Sequence, residues 1–197
     1  MNWAIFPSGN PEAATACARA WKAAGWSTAV LLDDGTCECD RLFIEPNYRG
    51  TAAAFNRMMA EIPEWRLVAC VNDDMFPVDC PAERAEMLHR GGVLQPTGVW
   101  FDAMEWCAPC PIIDRGYWKA FKPVWHEGYA HLFCDQELRE VAISRDMFYE
   151  TESLGIEHRH HCLGFPDTLP AEKRRWNNDR HARDMRLYHE RKAAGFP

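Results

Sequence analysis

The sequence lacks the features that mark a membrane protein or a general nucleic-acid binder. No stretch approaches the ~20 consecutive apolar residues of a membrane-spanning helix, so we expect no membrane span. The first residues show no basic region followed by an apolar stretch, so we expect no signal peptide and a cytoplasmic location. The formal net charge is −7, which disfavours general adhesion to nucleic acid, because that adhesion relies on Lys and Arg neutralising phosphates.

A glycine-rich, basic phosphate-binding loop is also missing. Residues 7–11, which follow the first predicted strand, include one glycine and neither lysine nor arginine. A nucleotidyltransferase normally carries such a loop there, so this class of enzyme is disfavoured. No repeat, low-complexity segment or linker divides the chain. We therefore expect one compact domain, residues 1–165, and a C-terminal helical extension, residues 166–197, packed on it. The sequence does not indicate the oligomeric state.

Cysteine, in contrast, is abundant, with nine residues in the chain. Without a secretory signal, reduced thiols are the favoured state. Cys107 and Cys110 have the spacing of zinc ligands. The only other closely spaced pair of cysteines that could complete such a site is Cys37 and Cys39. We therefore expect neither a structural zinc site nor a redox function at these pairs.

Strands and helices alternate along the first 72 residues. Asn10, Pro11 and Glu12 form a strong helix start, with an N-cap, a proline at the first helical position and an acid near the positive end of the dipole. Gly25 ends this helix. Further elements are predicted as strands at 3–6, 27–32, 42–44 and 67–71 and a helix at about 50–62.

This alternation predicts an α/β fold with a central, mostly parallel sheet and helices on both faces. In such sheets, ligands bind beyond the carboxyl ends of the strands. After residue 72 the pattern changes. The later part of the chain predicts helices at 81–89, 116–121, 135–144 and 170–193, and short strands or extended segments at 93–95, 111–113, 146–150 and 155–160.

Acidic residues follow the most buried predicted strand. Asn72, Asp73 and Asp74 come directly after the apolar run 67–71, so they are expected at the ligand-binding edge of the sheet. Mg²⁺ and Mn²⁺ prefer oxygen ligands and often share them with substrate phosphates. The alternative is an ordinary strand-to-loop turn, which Asn and Asp also favour.

A second acidic pair, Asp135 and Glu137, lies at the start of a predicted helix. One interpretation is a plain helix cap. The other is a general base that takes a proton from a substrate hydroxyl.

Two histidines, His158 and His160, face the same side of a predicted extended segment. Two imidazoles on one face suit a transition-type cation. The alternative is that both are surface or hydrogen-bonded histidines without a metal.

The order of these three motifs resembles the GT-A glycosyltransferases, especially the inverting family 2 group in its short phage and bacterial form. An acid pair after a buried strand, an acidic motif about 60 residues later and a His-bearing segment beyond it are typical of that family. The first acid of the usual D-x-D motif is replaced by Asn72, so the metal loses one formal charge. By resemblance, the nucleotide-binding residues are Pro7, Asp33, Asp34, Arg49, Asn56, Asn72 and Asp73.

The resemblance implies a metal-dependent transfer of a sugar with inversion. Asp74, with His158 and His160, is expected to hold Mn²⁺ or Mg²⁺ against the diphosphate of a nucleotide sugar, most simply a UDP-sugar. Asp135 is expected to be the catalytic base, with Glu137 as its rival. The resemblance also implies that Tyr117, Trp118 and Glu137 bind the acceptor.

The sequence leaves two alternatives for the molecule that accepts the sugar. A basic segment, residues 173–192, and abundant aromatics are compatible with a 5-hydroxymethylpyrimidine in phage DNA, and then with a location in the host cytoplasm. The other acceptor is a saccharide or cell-surface glycan. A nucleotidyltransferase and a non-catalytic nucleotide- or glycan-binding module are the alternatives from other functional classes.

Overall fold

A computed structural model describes residues 1–98, 106–166 and 178–196 of the chain. The strands in these ranges are β1 (Asn2–Ser8), β2 (Ser27–Leu32), β3 (Arg41–Ile44), β4 (Leu67–Cys70), β5 (Met75–Asp79), β6 (Val93–Gly98), β7 (Ile112–Asp114) and β8 (Phe148–His158). The helices are α1 (Pro11–Ala23), α2 (Thr51–Glu61), α3 (Ala82–Leu88), α4 (Arg115–Phe121), α5 (Cys134–Ser144) and α6 (Asn178–Ala193). The part of the predicted last helix before residue 178 lies outside the described residues.

All eight of these strands join one sheet in the order β3-β2-β1-β4-β7-β6-β8-β5. β1 pairs in parallel with β2 and β4, and β2 pairs in parallel with β3. β7 runs antiparallel to both β4 and β6, so β6 points the same way as β4, and β8 runs parallel to β6. The predicted mostly parallel α/β sheet is therefore confirmed, with β7 and β5 as its two reversed strands.

Helices cover both faces of the sheet, as predicted. Successive β1 side chains alternate between the two hydrophobic cores, with Ile5 in one and Ala4 and Phe6 in the other. The core with Ile5 also receives side chains from α2, α4, α5 and α6, and the other core receives side chains from α1 and α3. A strand buried on both faces is typically apolar at every position, which is why β4 is a continuous apolar run and β2 is apolar from Ala29 to Leu32.

The start of α1 matches its sequence signature. The Asn10 side chain accepts hydrogen bonds from the backbone N–H groups of Glu12 and Ala13, at 3.0 and 3.2 Å. Pro11 occupies the first helical position, where no N–H donor is needed. Gly25 follows the helix with φ +84°, a conformation that favours glycine. This short helix returns the chain to the start of β2, so that β1 and β2 lie in parallel.

Sequence patterns did not predict β5 as a strand. It contains Pro77, which cannot donate a ladder hydrogen bond, and its pairing with β8 is irregular between Pro77 and Asp79. β5 forms the end of the sheet, and an edge strand tolerates proline because one of its sides has no strand to bond.

The segments predicted at 146–150 and 155–160 form a single strand, β8. Its register against β6 shifts between Pro96, opposite Thr151, and Thr97, opposite Gly155. The shift explains why the sequence pattern breaks in the middle of one strand.

The C-terminal helix α6 packs against α5. Arg191 donates two hydrogen bonds of 2.8 Å to the buried carboxylate of Glu137, which also accepts one of 2.7 Å from the Tyr129 hydroxyl. The boundary predicted at residue 166 precedes a segment outside the described residues. Within the ranges that the structure describes, no helix is long and apolar enough to cross a membrane.

Candidate active site

One edge of the sheet gathers the ends of six parallel strands. β1, β2, β3 and β4 share a direction, so the segments that follow them meet at the same edge. β6 and β8 also end there, while the antiparallel β5 begins there. This carboxyl edge therefore collects residues far apart in sequence, namely Pro7, Asp33, Asp34, Arg49, Asn72, Asp73, Asp74 and His158.

Asp74 and His158 lie close together at this edge. His158 Nε2 is 3.3 Å from Asp74 Oδ2, and both residues are buried, at 2% and 9% exposure. The backbone fixes this approach, because Met75 pairs with His158 in the β5–β8 ladder and Arg159 N–H donates to Asp74 O at 2.7 Å. The second carboxylate oxygen, Asp74 Oδ1, is buried and accepts no hydrogen bond from the described residues.

Asp73 lies beside this pair and is held by β1. The Ser8 hydroxyl, at the end of β1, donates a hydrogen bond to Asp73 Oδ2. Under the same loop, the thiol of Cys17 donates to the carbonyl oxygens of Asn72 and Met75, at 3.6 and 3.4 Å. Burial, followed by the charges of Asp73 and Asp74, raises the pKa of this thiol. The edge therefore has a negative potential, which a bound cation would offset.

Asp135 lies in the first turn of α5, near the positive end of the helix dipole. Burial raises the pKa of its carboxyl group, and hydrogen bonds from the Gln136 backbone N–H and the Cys107 thiol act in the opposite direction. The Gln136 bond is 3.0 Å long. A carboxylate with a raised pKa is a stronger base than an ordinary aspartate, which suits proton abstraction near neutral pH.

His131 is influenced by the charges of both Asp135 and Asp74. Burial lowers the pKa of His131, while the charges of Asp135, Asp184 and Asp74 act to raise it. His131 is nevertheless an exposed residue. The charges of Asp74 and Asp135 thus act on the same imidazole.

The polypeptide around His131 is held from both sides. Its Nδ1 lies 3.3 Å from the hydroxyl of Thr51 at the start of α2. The carboxylate of Asp184, fully buried on α6, accepts the backbone N–H groups of Ala130, His131 and Leu132 at 2.9–3.0 Å. α6 therefore fixes the loop that leads into Asp135.

Sequence reasoning did not identify His131 as a site residue. The residue lies in the stretch 128–134, whose apolar character drew attention to the acid that follows it. Contacts with Thr51 on α2 and Asp184 on α6 hold the imidazole and the backbone of His131 in place. No local spacing carries that information, so the sequence offered no signal.

His160 lies next to His158, with ring centroids 5.1 Å apart. Its Nδ1 accepts a hydrogen bond from the Cys162 backbone N–H at 3.2 Å, and its ring is 4.1 Å from that of His161. His160 therefore belongs to a cluster with His161 and Cys162 at the end of β8.

Several predicted nucleotide-binding residues lie at the carboxyl edge, but Asn56 does not contribute a polar group to it. Its amide donates to the Trp125 carbonyl at 2.7 Å and to Glu127 at 3.1 Å, and it accepts from the Trp125 N–H at 3.2 Å. The buried Asn56 side chain therefore holds the loop 125–127. Arg49 is exposed and forms an ion pair with Glu45 at 2.9 Å.

The structure does not bring the predicted acceptor-binding residues to the site. Tyr117 and Trp118 lie on α4, which follows the pairing of Asp114 with Leu67 at the amino end of β4, opposite the acids. Tyr117 is buried in the core and Trp118 packs on Trp65. Glu137, the predicted alternative base, has a structural role instead, because its carboxylate accepts hydrogen bonds from Arg191 and Tyr129.

Comparison with known proteins gives the fold. Neither a protein-family model nor a curated protein matches the sequence. The structure resembles residues 1–349 of TarS from S. aureus, with a TM-score of 0.58 and 13% sequence identity over 79% of this chain and 59% of that one. It also resembles A197 from STIV, with a TM-score of 0.56 and 11% identity over 85% of this chain and 86% of that one.

These likenesses concern the fold. TarS is a glycosyltransferase with a GT-A-like fold, so the predicted GT-A fold is confirmed, and assignment to the inverting family 2 group stays a prediction. The chain spans 59% of the TarS structure. The curled α/β sheet with helices on both faces is therefore similar to the fold of TarS.

Proposed function

We propose that the chain is a glycosyltransferase that transfers a sugar from a nucleotide sugar to an acceptor hydroxyl with inversion. The observation that carries the proposal is the buried Asp74–His158 pair at the carboxyl edge of the sheet. The charges of Asp74 and Asp135 also act on the same residue, His131. A GT-A-like fold places its ligands at this edge, and the three side chains come from three distant parts of the sequence.

The side chains at the edge fit a divalent cation. Asp74 Oδ1 is a buried carboxylate oxygen that accepts no hydrogen bond from the described residues, and leaving it without a partner costs free energy. An oxygen ligand beside an imidazole suits Mn²⁺, and the same oxygen suits Mg²⁺. When bound, the cation supplies positive charge that stabilises the leaving nucleoside diphosphate.

Each residue has a proposed part in the reaction. Asp74 and His158 hold the cation, and Asp73, Asn72, Asp33 and Asp34 face the nucleoside of a UDP-sugar. Asp135 takes the proton of the acceptor hydroxyl, whose oxygen forms a bond to the anomeric carbon as the bond from that carbon to the diphosphate breaks. His131 orients the acceptor between Asp74 and Asp135.

For the acceptor we propose a 5-hydroxymethylpyrimidine in phage DNA. The charge of Arg180 on α6 acts on His131 and lowers the pKa of its imidazole. Arg183 and Arg186 continue an exposed basic face of α6, which suits phosphates on either side of a target base. Arg191 and Lys192 are already engaged by Glu137 and Glu140, and residues 173–175 lie outside the described residues.

A donor screen tests the proposal. Thermal unfolding is measured with UDP-sugars and other nucleotide sugars, with and without Mn²⁺, since a ligand that binds the folded state raises Tm. We expect a UDP-sugar to raise Tm only with Mn²⁺, and Asp74→Asn to abolish that rise. Asp79→Asn is the matched control, because Asp79 is an exposed acid at the end of β5 that forms an ion pair with Arg84 of α3.

A second assay separates the functional classes. A transferase hydrolyses the preferred donor slowly with Mn²⁺, whereas a nucleotide-binding module shows the Tm rise alone. Transfer to hydroxymethylated DNA and to a glycan mixture then distinguishes the two acceptors. Absence of any nucleotide-dependent Tm rise would exclude the proposal.

A further inference from the structure

The turn that closes β8 carries a group of metal-ligating side chains that the proposed reaction does not use. His160, His161 and Cys162 each offer one ligand atom, and these atoms all lie within 4.8 Å of one another. His160 is half-buried, and His161 and Cys162 are exposed. We propose that these three residues form a zinc-binding site.

Two hydrogen bonds hold the three side chains close together. His160 Nδ1 accepts a hydrogen bond from the Cys162 backbone N–H at 3.2 Å, which fixes the imidazole ring relative to Cys162. His161 Nε2 lies 3.5 Å from Cys162 Sγ, so the proton of one of these atoms forms a hydrogen bond to the other. A cation that takes the place of this proton binds both atoms and releases the proton to solvent.

The backbone keeps this arrangement in a short 3₁₀ turn, His161–Leu163. Leu163 N–H donates to His160 O at 2.9 Å and Gly164 N–H donates to His161 O at 3.0 Å. Gly164 follows with φ +88°, a conformation that favours glycine. The site therefore needs little rearrangement before it binds an ion.

The ligand chemistry selects the ion. A thiolate with two imidazoles is a soft to borderline set, which favours Zn²⁺ over Mg²⁺, Ca²⁺ and Mn²⁺. Three protein ligands leave the fourth position of a tetrahedral ion open to water or to a group brought by a partner or substrate. The candidate cation site at Asp74 differs, because its carboxylate suits harder cations.

The zinc site adjoins the proposed active site, because His160 follows His158 by two residues and their ring centroids are 5.1 Å apart. An ion bound to His160 therefore holds the end of β8, which carries His158. The zinc site itself requires neither a nucleotide nor Asp74.

Metal binding by the full-length protein tests this inference. Zn²⁺ affinity is measured in competition with a chromophoric chelator, and Co²⁺ is used as a spectroscopic substitute. We expect one tight Zn²⁺ per chain, and a sulfur-to-cobalt charge-transfer band that shows a thiolate ligand. Cys162→Ser should abolish the band and weaken Zn²⁺ binding at least about tenfold, as should His161→Ala.

Two controls make the outcome decisive. Cys37→Ser removes another partly exposed thiol, one that lies near Cys39, and should leave the band intact. Asp74→Asn should leave Zn²⁺ binding intact while it removes the Mn²⁺-dependent response to UDP-sugars. A band that survives Cys162→Ser, or that disappears in Asp74→Asn, overturns the zinc site and leaves the proposed transferase function to its own test.

Discussion

At the scale of single residues, Asp135 combines a cost in stability with a proposed chemical task. Burial raises the pKa of its carboxyl group, so the ionised form is less favourable in the folded chain than in the unfolded one. The folded state therefore loses stability as pH rises through the ordinary pKa range of an aspartate and up to the raised value. Functional residues commonly carry such a cost.

The variant Asp135→Asn separates these two effects. Asn cannot accept the proton, so transfer should be abolished while the Mn²⁺-dependent binding of the donor stays nearly unchanged. Since Asn is neutral and can still accept the Gln136 N–H bond, Tm at pH 7 should rise, and the difference from the parent protein should shrink as the pH falls below the ordinary aspartate range. Turnover and Tm against pH measure both effects, and retained turnover in Asp135→Asn would exclude this base.

The pH dependence of the parent enzyme follows from the same shift. A base works only when ionised, so transfer should fall as the pH drops through the raised pKa of Asp135, at a higher pH than an ordinary aspartate gives. A rate that stays constant down to the ordinary aspartate range would contradict the assignment.

At the scale of elements, the loop that carries His131 is enclosed between α2 and α6. Gly50, which precedes α2, has φ +114°, and a Cβ atom placed there lies 2.6 Å from the Ala130 carbonyl oxygen. Gly91 has φ +93° with no atom within 4 Å of its Cβ position. A side chain at either position would therefore strain the backbone, but only a side chain at position 50 would also collide with the loop that carries His131.

We expect Gly50→Ala to displace residues 129–131 and to lower both Tm and transfer activity. The backbone strain alone costs about 1–3 kcal/mol, and this part is shared by the control Gly91→Ala. The contact with Ala130 O adds to it only in Gly50→Ala. Chemical unfolding and donor turnover are the measurements, and equal effects of the two substitutions would show that the loop does not depend on Gly50.

The contribution of the Arg191–Glu137 ion pair between α6 and α5 to the free energy of unfolding can be measured. Arg191→Met leaves the buried Glu137 carboxylate without its guanidinium partner, and breaking a buried ion pair from one side costs about 3–5 kcal/mol. Arg186→Met, at an exposed position of the same helix, is the control and should be close to neutral. A similar free energy of unfolding for both variants would mean that α6 contributes little to holding α5.

At the scale of the whole molecule, the parallel sheet is what the sequence predicted most securely. The continuous apolar run at 67–71, the predicted strand at 27–32 and the N-capped helix before it are local signals, and β2 and β4 lie where they were predicted. β5 was not predicted because it contains Pro77, and a proline argues against a strand except at the edge of a sheet.

The candidate site was predictable only in part. Asp74 and His158 were predicted to belong to one site, and they lie together because one follows a strand, the other ends one, and both strands end at the same edge of the sheet. His131 was not found, since contacts from α2 and α6 place it. Tyr117 was misplaced because α4 follows a reversed strand, β7, whose direction the sequence does not give.

The central claim is that Asp74 and His158 hold a cation that in turn holds the diphosphate of the donor. Calorimetric titration of UDP into the protein, with and without Mn²⁺, measures this most directly. We predict that UDP binds with Mn²⁺ and not without it, and that Asp74→Asn weakens binding at least about tenfold, or about 1.4 kcal/mol, while Asp79→Asn does not. Equal UDP affinity with and without Mn²⁺, or unchanged affinity in Asp74→Asn, would contradict the account.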